Sequence, residues 1–488
     1  MICLNTLALC RSTTPLLILF VTSVTLAQNA PTPAGNWEGG IDLGGNKLGV
    51  VFVITQREGA NYETVMSVPS QSPKGIACNQ TVVNGDSLLV SVKMIGGQFK
   101  GKLNAGRSSV AGTWFQGGSS LPLTLEKVEK ITEEKAAERP QTPKGPFPYV
   151  SEEVQFDNIA KTVHLGATLT KPVGAGPFPV AVLITGSGQQ DRDETILGHK
   201  PFAVIADYLT RRGIAVLRVD DRGMGKSTGE LLTATSLDFA QDVMISLDYL
   251  KTRPDMNPKK IGLIGHSEGG MIAPMVAAQR PIEVAFMVLL AGPGAKITDL
   301  MESQLLSLSK NNGLSDGDAA LFRPLLKPLM LAATNTADKT TNRNAAVDAF
   351  KTWQQKTEPA AVVRATGVTD EKTRESYVDQ QLTLFGKPWF RYFIQYDPAV
   401  NLKQVRCPVL ALNGEKDYQV PSAMNLTAIG AALKGHNKRL TTKEMPGLNH
   451  LFQHCQTCTG AEYAQLTETF APEALQLMGN WILIEGLR

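Results

Sequence analysis

From residue 180 onward, the sequence alternates between short, continuous apolar runs and longer segments with helical spacing. The apolar runs occupy residues 180–184, 214–219, 261–264, 284–290 and 409–412. Helical patterns follow these runs at residues 202–212, 237–251, 422–434 and 472–484, and directly after residue 267. An apolar run without polar alternation suits a strand buried on both faces, and strands separated by helices pair in parallel. The sequence therefore predicts the α/β class, with a doubly wound, mostly parallel sheet in a domain covering residues 150–488.

The segment from about 295 to 400 breaks this alternation. It shows helical patterns at residues 300–309, 319–332 and 345–355, and no apolar run that would suit a further strand. A helical insertion between two strands of such a sheet lies where it can cover a site at the sheet edge. We interpret residues of about 295–400 as a helical lid.

A different pattern precedes the α/β domain. Residues 36–127 contain short runs rich in β-formers, separated by Gly-Asn, Asn-Gly and Gly-Gly turns. This pattern predicts a small all-β domain, a barrel or a sandwich, over residues 36–127. Residues 128–149 are charged and then rich in proline, which is typical of a linker.

The first residues differ in character from the rest of the chain. Arg11 precedes an apolar run that begins at Leu16, and small residues stand at the end of that run, next to Ala27. The run is too short to cross a hydrocarbon core of about 30 Å comfortably, but it suits a secretory signal. We expect residues 1–27 to be a signal peptide, with an uncleaved anchor as the alternative. After cleavage of the signal peptide, the mature protein would be periplasmic or secreted, with no stable membrane span.

Charge balance limits the partners that the chain can have. The 48 Lys and Arg residues nearly match the 45 Asp and Glu residues, so the net charge is only +3. Such a balance argues against nucleic acid and against an anionic membrane surface as partners. It leaves the oligomeric state open.

Six cysteines are present, of which Cys455 and Cys458 form a C-x-x-C pair. In an exported protein this pair favours a local disulfide, with two free thiols as the alternative. The neighbouring sequence does not supply the further ligands that zinc requires, so no metal site is predicted.

Gly265-His266-Ser267-Glu268-Gly269 matches the pattern G-x-S-x-G and lies between the strand predicted at 261–264 and a helix. A serine on such a sharp strand-to-helix turn needs glycine on both sides, since neighbouring backbone passes close by. The motif predicts Ser267 as a nucleophile. The alternative is a tight turn without catalysis.

A nucleophilic serine requires a base and an acid that orients it, and in this fold the acid precedes the histidine. Asp417 follows the strand at 409–412, with Glu415 as the weaker candidate. His450 follows the last predicted strand, near residues 439–440, and we predict it as the base. His454 is the alternative, whereas His436 precedes that strand and falls at the wrong end of the sheet.

The same chemistry needs hydrogen-bond donors for an oxyanion. One is the backbone N–H of Glu268, and the other should come from the turn after the strand at 180–184, from Ser187, Gly188 or Gln189. We interpret Asp191-Arg192-Asp193, just beyond this turn, as an ion pair that braces the loop.

Three motifs carry a resemblance to a known family. The segments 186–193, 221–227 and 265–270 resemble bacterial α/β-hydrolases of the serine-aminopeptidase-like group, many of which are carboxylesterases. The resemblance covers residues of about 150–488, and several members of the group carry a small β domain in front. It implies the triad Ser267, Asp417 and His450. Thr185 departs from the wider superfamily, in which histidine often precedes the oxyanion glycine, and this leaves the second donor open.

These patterns predict a serine hydrolase that cleaves a small-molecule carboxylic ester through an acyl-enzyme, without metal or organic cofactor. Three alternatives remain. They are a peptidase on the same triad, an acyltransferase to an alcohol other than water, and a non-catalytic ligand-binding protein.

Overall fold

The computed structural model describes residues 32–42, 47–58, 61–69, 72–92, 96–116, 119–132, 138–336 and 338–488. The predicted signal peptide, residues 1–27, lies outside the described residues.

The first domain is one curled antiparallel sheet of nine strands. The strands are β1 (Gly35–Asp42), β2 (Lys47–Gln56), β3 (Tyr62–Val68), β4 (Ser72–Ala77), β5 (Gln80–Asn84), β6 (Ser87–Val92), β7 (Gly97–Leu103), β8 (Ser109–Gln116) and β9 (Ser119–Val128). Their order is β4-β3-β2-β1-β9-β8-β7-β6-β5. The two ends of the sheet meet where Thr81 donates a hydrogen bond to Thr64 across 2.8 Å.

Aromatic side chains fill the interior of this curled sheet. Trp37, Phe52, Phe99 and Trp114 are at most 2 % exposed, and the rings of Phe52 and Phe99 lie edge to face with 5.7 Å between their centres. The interior is a packed core, as expected where inward positions alternate with outward ones along each strand.

The second half of the linker is attached to the α/β domain. Arg139 donates hydrogen bonds to the backbone carbonyls of Leu197, Ala464 and Leu466, each at 2.7–2.8 Å. The side chain of Gln141 accepts from the backbone N–H of Phe470 at 3.0 Å. These contacts fix the end of the linker on the domain that follows.

The second domain is built on an eight-stranded mixed sheet. Its strands are β10 (Val150–Asp157), β11 (His164–Lys171), β12 (Phe178–Ile184), β13 (Ala215–Val219), β14 (Met256–His266), β15 (Val284–Leu290), β16 (Val409–Gly414) and β17 (Leu440–Met445). The order is β10-β11-β13-β12-β14-β15-β16-β17. β11 pairs antiparallel with both β10 and β13, whereas β13, β12, β14, β15, β16 and β17 are paired in parallel in that order. The predicted α/β class is confirmed.

Helices cover both faces of this sheet, and among the described residues seven of them form an insertion between β15 and β16. The helices are α1 (Pro201–Thr210), α2 (Ser236–Thr252), α3 (Glu268–Gln279), α4 (Ile297–Asn311), α5 (Asp316–Thr334), α6 (Lys339–Gln354), α7 (Pro359–Thr366), α8 (Glu371–Phe385), α9 (Pro388–Gln395), α10 (Ala399–Leu402), α11 (Ser422–Leu433), α12 (Gly460–Tyr463) and α13 (Pro472–Trp481). A π-helical turn, Ile482–Gly486, continues α13. Across the described ranges, no helix combines the length and the apolar character needed to cross a membrane.

Candidate active site

Ser267 stands at the turn between β14 and α3. Its backbone φ is 53° and its ψ is −119°, a conformation that residues with a side chain rarely adopt. Its N–H donates to the carbonyl of Leu290 at the end of β15, across 2.8 Å. A Cβ on Gly269 would lie 2.1 Å from the carbonyl oxygen of Ile184, so only glycine fits there. The tight packing of β12, β14 and α3 therefore forces the serine outward from the sheet edge.

His450 and Asp417 meet at the same edge of the sheet. Asp417 lies in the loop after β16, and His450 lies in the loop after β17. The Nδ1–H of His450 donates to Oδ2 of Asp417 across 2.8 Å, and both side chains are buried. Oδ1 of Asp417 accepts the backbone N–H groups of Gln419 and Val420, each at 2.8 Å. These bonds fix the carboxylate, and the carboxylate fixes the tautomer of His450 with a proton on Nδ1.

Ser267 and His450 line one cavity of about 280 Å³. The insertion supplies its apolar wall, with Leu300 and Met301 from α4 and Trp389, Phe390 and Phe393 from α9. The rings of Trp389 and Phe393 are stacked, with 4.8 Å between their centres. Helices of the segment predicted as a lid thus line the cavity, and α9, which sequence patterns did not single out, provides most of its aromatic surface.

The alternative residues lie elsewhere. His454 is exposed and pairs with Glu468 and Glu473 at 2.9 Å and 3.0 Å. Glu415 is also exposed, and it accepts the backbone N–H of Gly447. His436 lies within 3.4 Å of the carbonyl of Leu402. None of the three lines the cavity that holds Ser267.

The loop from Thr185 to Gln190 forms the rim on the other side of Ser267. Ser187 lines the cavity, whereas Gly188 and Gln189 are not among its described lining residues. Asp221 holds both ends of the loop, because it accepts from the hydroxyl of Thr185 at 2.6 Å and from the N–H of Gln190 at 3.0 Å. Burial raises the pKa of Asp221 to about 8.

Glu268 carries a buried carboxylate directly after Ser267. It accepts from the hydroxyl of Ser236 at 2.6 Å and from the indole N–H of Trp389 at 2.9 Å. Ser187 also hydrogen-bonds to this carboxylate, and burial nevertheless raises the pKa of Glu268. The carboxylate thus joins the turn at Ser267, the loop at 185–190 and α9.

Sequence reasoning missed Glu194 and His266. Glu194 follows the charged triplet 191–193, and His266 fills a variable position of G-x-S-x-G. Nδ1 of His266 lies 2.9 Å from Oε1 of Glu194, and both side chains are buried. Both residues are titratable and lie close to glycine-containing turns, which was the only sign in the sequence that they belong to the site. Nothing in the sequence indicates that they contact each other.

The predicted ion pair within Asp191-Arg192-Asp193 is not formed. Arg192 instead pairs with Asp220 at 2.6 Å and with Glu153 at 2.7 Å. Asp193 pairs with Arg218 and with Lys200. The loop is braced, but by the strands and by α1, because those elements bring opposite charges closer than chain neighbours can.

Cys455 and Cys458 are joined by a disulfide in the loop after His450. In the part of the chain that the structure describes, no group of three or more His, Cys, Asp or Glu side chains is arranged to hold a metal ion.

The family model "Serine aminopeptidase, S33" matches residues 200–454, just over half of the chain. Esterase EstD of Thermotoga maritima is 27% identical over 56% of this chain and 54% of its own length. The putative hydrolase YtaP of Bacillus subtilis is 35% identical over 26% of this chain and 50% of its own length. The chain spans about half the length of these curated relatives.

Among solved structures, the Pyrococcus furiosus esterase Pf2001 is similar to this chain at 14% sequence identity and a TM-score of 0.40. The match covers 72% of this chain and 98% of that one.

Proposed function

Because the chain belongs to the serine aminopeptidase (S33) family of α/β-hydrolases, we propose that it is a serine hydrolase that cleaves carboxylic esters of small molecules. One observation carries the proposal. Ser267, on its strained turn, lines the same cavity as His450, whose imidazole is bonded to Asp417 at 2.8 Å. A nucleophile, a base and an acid that orients the base are the groups that two-step acyl transfer requires.

In the proposed mechanism, His450 takes the proton of Ser267 as Oγ attacks the ester carbonyl. The backbone N–H of Glu268 and one donor from Ser187, Gly188 or Gln189 receive the oxyanion, and one such donor is worth about 10²–10³ in rate. His450 then gives its proton to the leaving alcohol. A water molecule activated by the same imidazole hydrolyses the acyl-enzyme and restores Ser267.

The cavity favours an ester over a peptide with a free N-terminus. An aminopeptidase must hold an ammonium group, and a carboxylate inside the site is the usual means. Among the described residues, the carboxylates that line the cavity are Glu194 and Glu268, and each already accepts two or more internal hydrogen bonds. The wall opposite them is aromatic and aliphatic, which suits an apolar acyl group.

The protein is further proposed to be exported, to the periplasm or the medium, after removal of residues 1–27. The disulfide between Cys455 and Cys458 suits an oxidising compartment. Cell fractionation followed by N-terminal sequencing tests this. We expect a mature chain that starts at Gln28 outside the cytoplasm, and an intact chain in the cytoplasmic fraction would contradict export.

Hydrolysis of p-nitrophenyl acetate, butyrate and octanoate tests the activity. Ser267→Ala should reduce kcat by about 10⁴-fold or more, whereas Ser151→Ala, at an exposed position of β10, should leave it unchanged. The preferred chain length then measures the pocket. A Ser267→Ala variant that keeps wild-type activity, or a wild type inactive on all three esters, would overturn the proposal and bring peptide substrates forward.

A further inference from the structure

Glu194 and His266 line the cavity beside Ser267 and have no part in the acyl transfer described above. Glu194 is 1 % exposed and has a backbone φ of 51°. Side-chain-bearing residues rarely adopt positive φ, and such strain persists only where the surroundings hold it in place. The carboxylate of Glu194 is therefore buried at the wall of the cavity, on a backbone that its surroundings hold in place.

Hydrogen bonds connect this carboxylate to both sides of the site. Oε1 of Glu194 accepts the backbone N–H of Gly186 at 2.7 Å and lies 2.9 Å from Nδ1 of His266. Nε2 of His266 donates to the backbone carbonyl of His450 across 3.0 Å. The imidazole rings of His266 and His450 have centres 4.8 Å apart. One continuous chain of contacts therefore joins the loop beside Ser267 to the backbone of the base.

Counting protons shows that the contacts depend on one another. A carbonyl oxygen can only accept, so Nε2 of His266 must carry a proton. A second proton lies between Nδ1 and Oε1, and a neutral imidazole alone has only one N–H. Burial lowers the pKa of His266, but the charge of Glu194 and its hydrogen bond raise it by more, so the pKa of His266 is raised overall. Wherever the second proton resides, the pair carries no net charge, and Glu194 fixes His266 as the donor to His450.

We infer that Glu194 and His266 form a positioning couple, which holds the backbone of His450 and the N–H of Gly186 at a fixed separation around Ser267. The inference rests on the proposed function and deepens it. Because the couple acts through His450 and Gly186, its loss should lower kcat and leave KM nearly unchanged. A displacement of about 1 Å in a catalytic group is enough to reduce the rate by about 10²-fold.

Two amide substitutions of His266 separate the two bonds. In His266→Asn the amide nitrogen replaces Nδ1 and keeps the contact with Glu194, but the donor to His450 is lost. In His266→Gln the amide nitrogen replaces Nε2 and keeps that donor. We expect kcat to fall by about 10²-fold in His266→Asn and by about tenfold in His266→Gln, with KM within about twofold of wild type in both.

The matched control is His164→Gln, since His164 forms an exposed pair with Asp157 at 2.5 Å and does not line the cavity. It should leave kcat and KM unchanged. Labelling of Ser267 by a fluorophosphonate counts the folded sites in each preparation, so kcat is expressed per competent molecule. Each His266 variant loses one of two hydrogen bonds, so a purely structural role would not produce the predicted order of kcat.

Wild-type kcat in His266→Asn, or a larger loss in His266→Gln than in His266→Asn, would overturn the positioning couple. Both outcomes require a wild type that hydrolyses esters, so they leave the proposed function intact. A wild type that neither hydrolyses the esters nor reacts with the fluorophosphonate overturns the proposed function, and the couple with it.

Discussion

Trp389 donates its indole N–H to the carboxylate of Glu268 across 2.9 Å. Trp389 belongs to α9 of the insertion, and Glu268 is the first residue after Ser267, the proposed nucleophile. The contact is partly buried, and the ring of Trp389 is stacked on that of Phe393. This hydrogen bond therefore connects the insertion to Glu268, whose backbone N–H is proposed to hold the oxyanion.

Replacing Trp389 with phenylalanine should weaken catalysis through this link. The change keeps an aromatic wall but removes the donor, so the buried carboxylate of Glu268 loses one of its hydrogen bonds. We expect kcat/KM for p-nitrophenyl butyrate to fall by about tenfold. Trp353→Phe is the matched control, because Trp353 donates to the carbonyl of Leu321 within the insertion, at 2.6 Å. Equal losses of kcat/KM in the two variants would contradict the link.

Asp221→Asn should remove a pH-dependent loss of stability. The pKa of Asp221 is raised to about 8, mainly by burial and further by the nearby carboxylates Glu268 and Glu194, whereas an unfolded aspartate titrates near 3.9. Between about pH 4 and pH 8 the folded protein keeps a proton that the unfolded chain has lost. The free energy of unfolding therefore decreases as pH rises, by up to about 1.4 kcal/mol per pH unit. Asparagine mimics the protonated acid and does not titrate. In urea unfolding, the free energy of unfolding of the variant should therefore rise relative to that of wild type between about pH 4.5 and pH 8.

Asp255→Asn provides the control of opposite sign. Hydrogen bonds from Arg253 and Lys171 hold the pKa of Asp255 below its usual range. The stabilisation from this carboxylate is present above the pKa of the unfolded aspartate and is lost as pH falls. The variant should be less stable than wild type at about pH 8, and the difference should shrink below about pH 4. Parallel pH profiles for the two variants would contradict both assignments.

Sequence patterns located the strands of the α/β domain because burial on both faces leaves a local mark in composition. Residues 284–290 are apolar throughout, and β15 has the same bounds. The turn at Ser267 was also predictable, since Gly265 and Gly269 mark the close approach of backbone around it. Such features depend on a few neighbouring residues and can be found without knowledge of the packing.

The buried acids could not be predicted in this way. A charged residue in a sequence usually indicates an exposed side chain, yet Glu194 is buried because His266, 72 positions away, lies beside it. Arg192 likewise finds Asp220 rather than its chain neighbours. These partners are set by the order of strands in the sheet, which brings distant loops to one edge. The ion pair predicted within residues 191–193 took account only of neighbours in the chain, whereas the partners of Arg192 come from distant strands.

Thiol counting tests the disulfide independently of activity. Among the described cysteines, Cys78 and Cys407 are free, whereas Cys455 and Cys458 are paired. After removal of the predicted signal peptide, which holds Cys3 and Cys10, the unfolded and unreduced protein should react with two equivalents of a thiol reagent, and with four after reduction. Four reactive thiols before reduction would contradict the disulfide. Because the disulfide closes only a short loop, it stabilises the fold by about 2 kcal/mol at most.

At position 267, glycine should be at least as stabilising as alanine, which is the reverse of their usual order. Glycine normally destabilises a regular position by about 0.5–1 kcal/mol relative to alanine. At φ 53° and ψ −119°, however, any Cβ is strained, by about 1–3 kcal/mol. Both Ser267→Gly and Ser267→Ala remove the proposed nucleophile, but the glycine variant should be at least as stable to urea as the alanine variant. Glu230→Ala and Glu230→Gly, at an exposed loop residue, give the ordinary difference for comparison. A glycine variant less stable than the alanine variant by that ordinary difference would mean that the turn at Ser267 stores no strain.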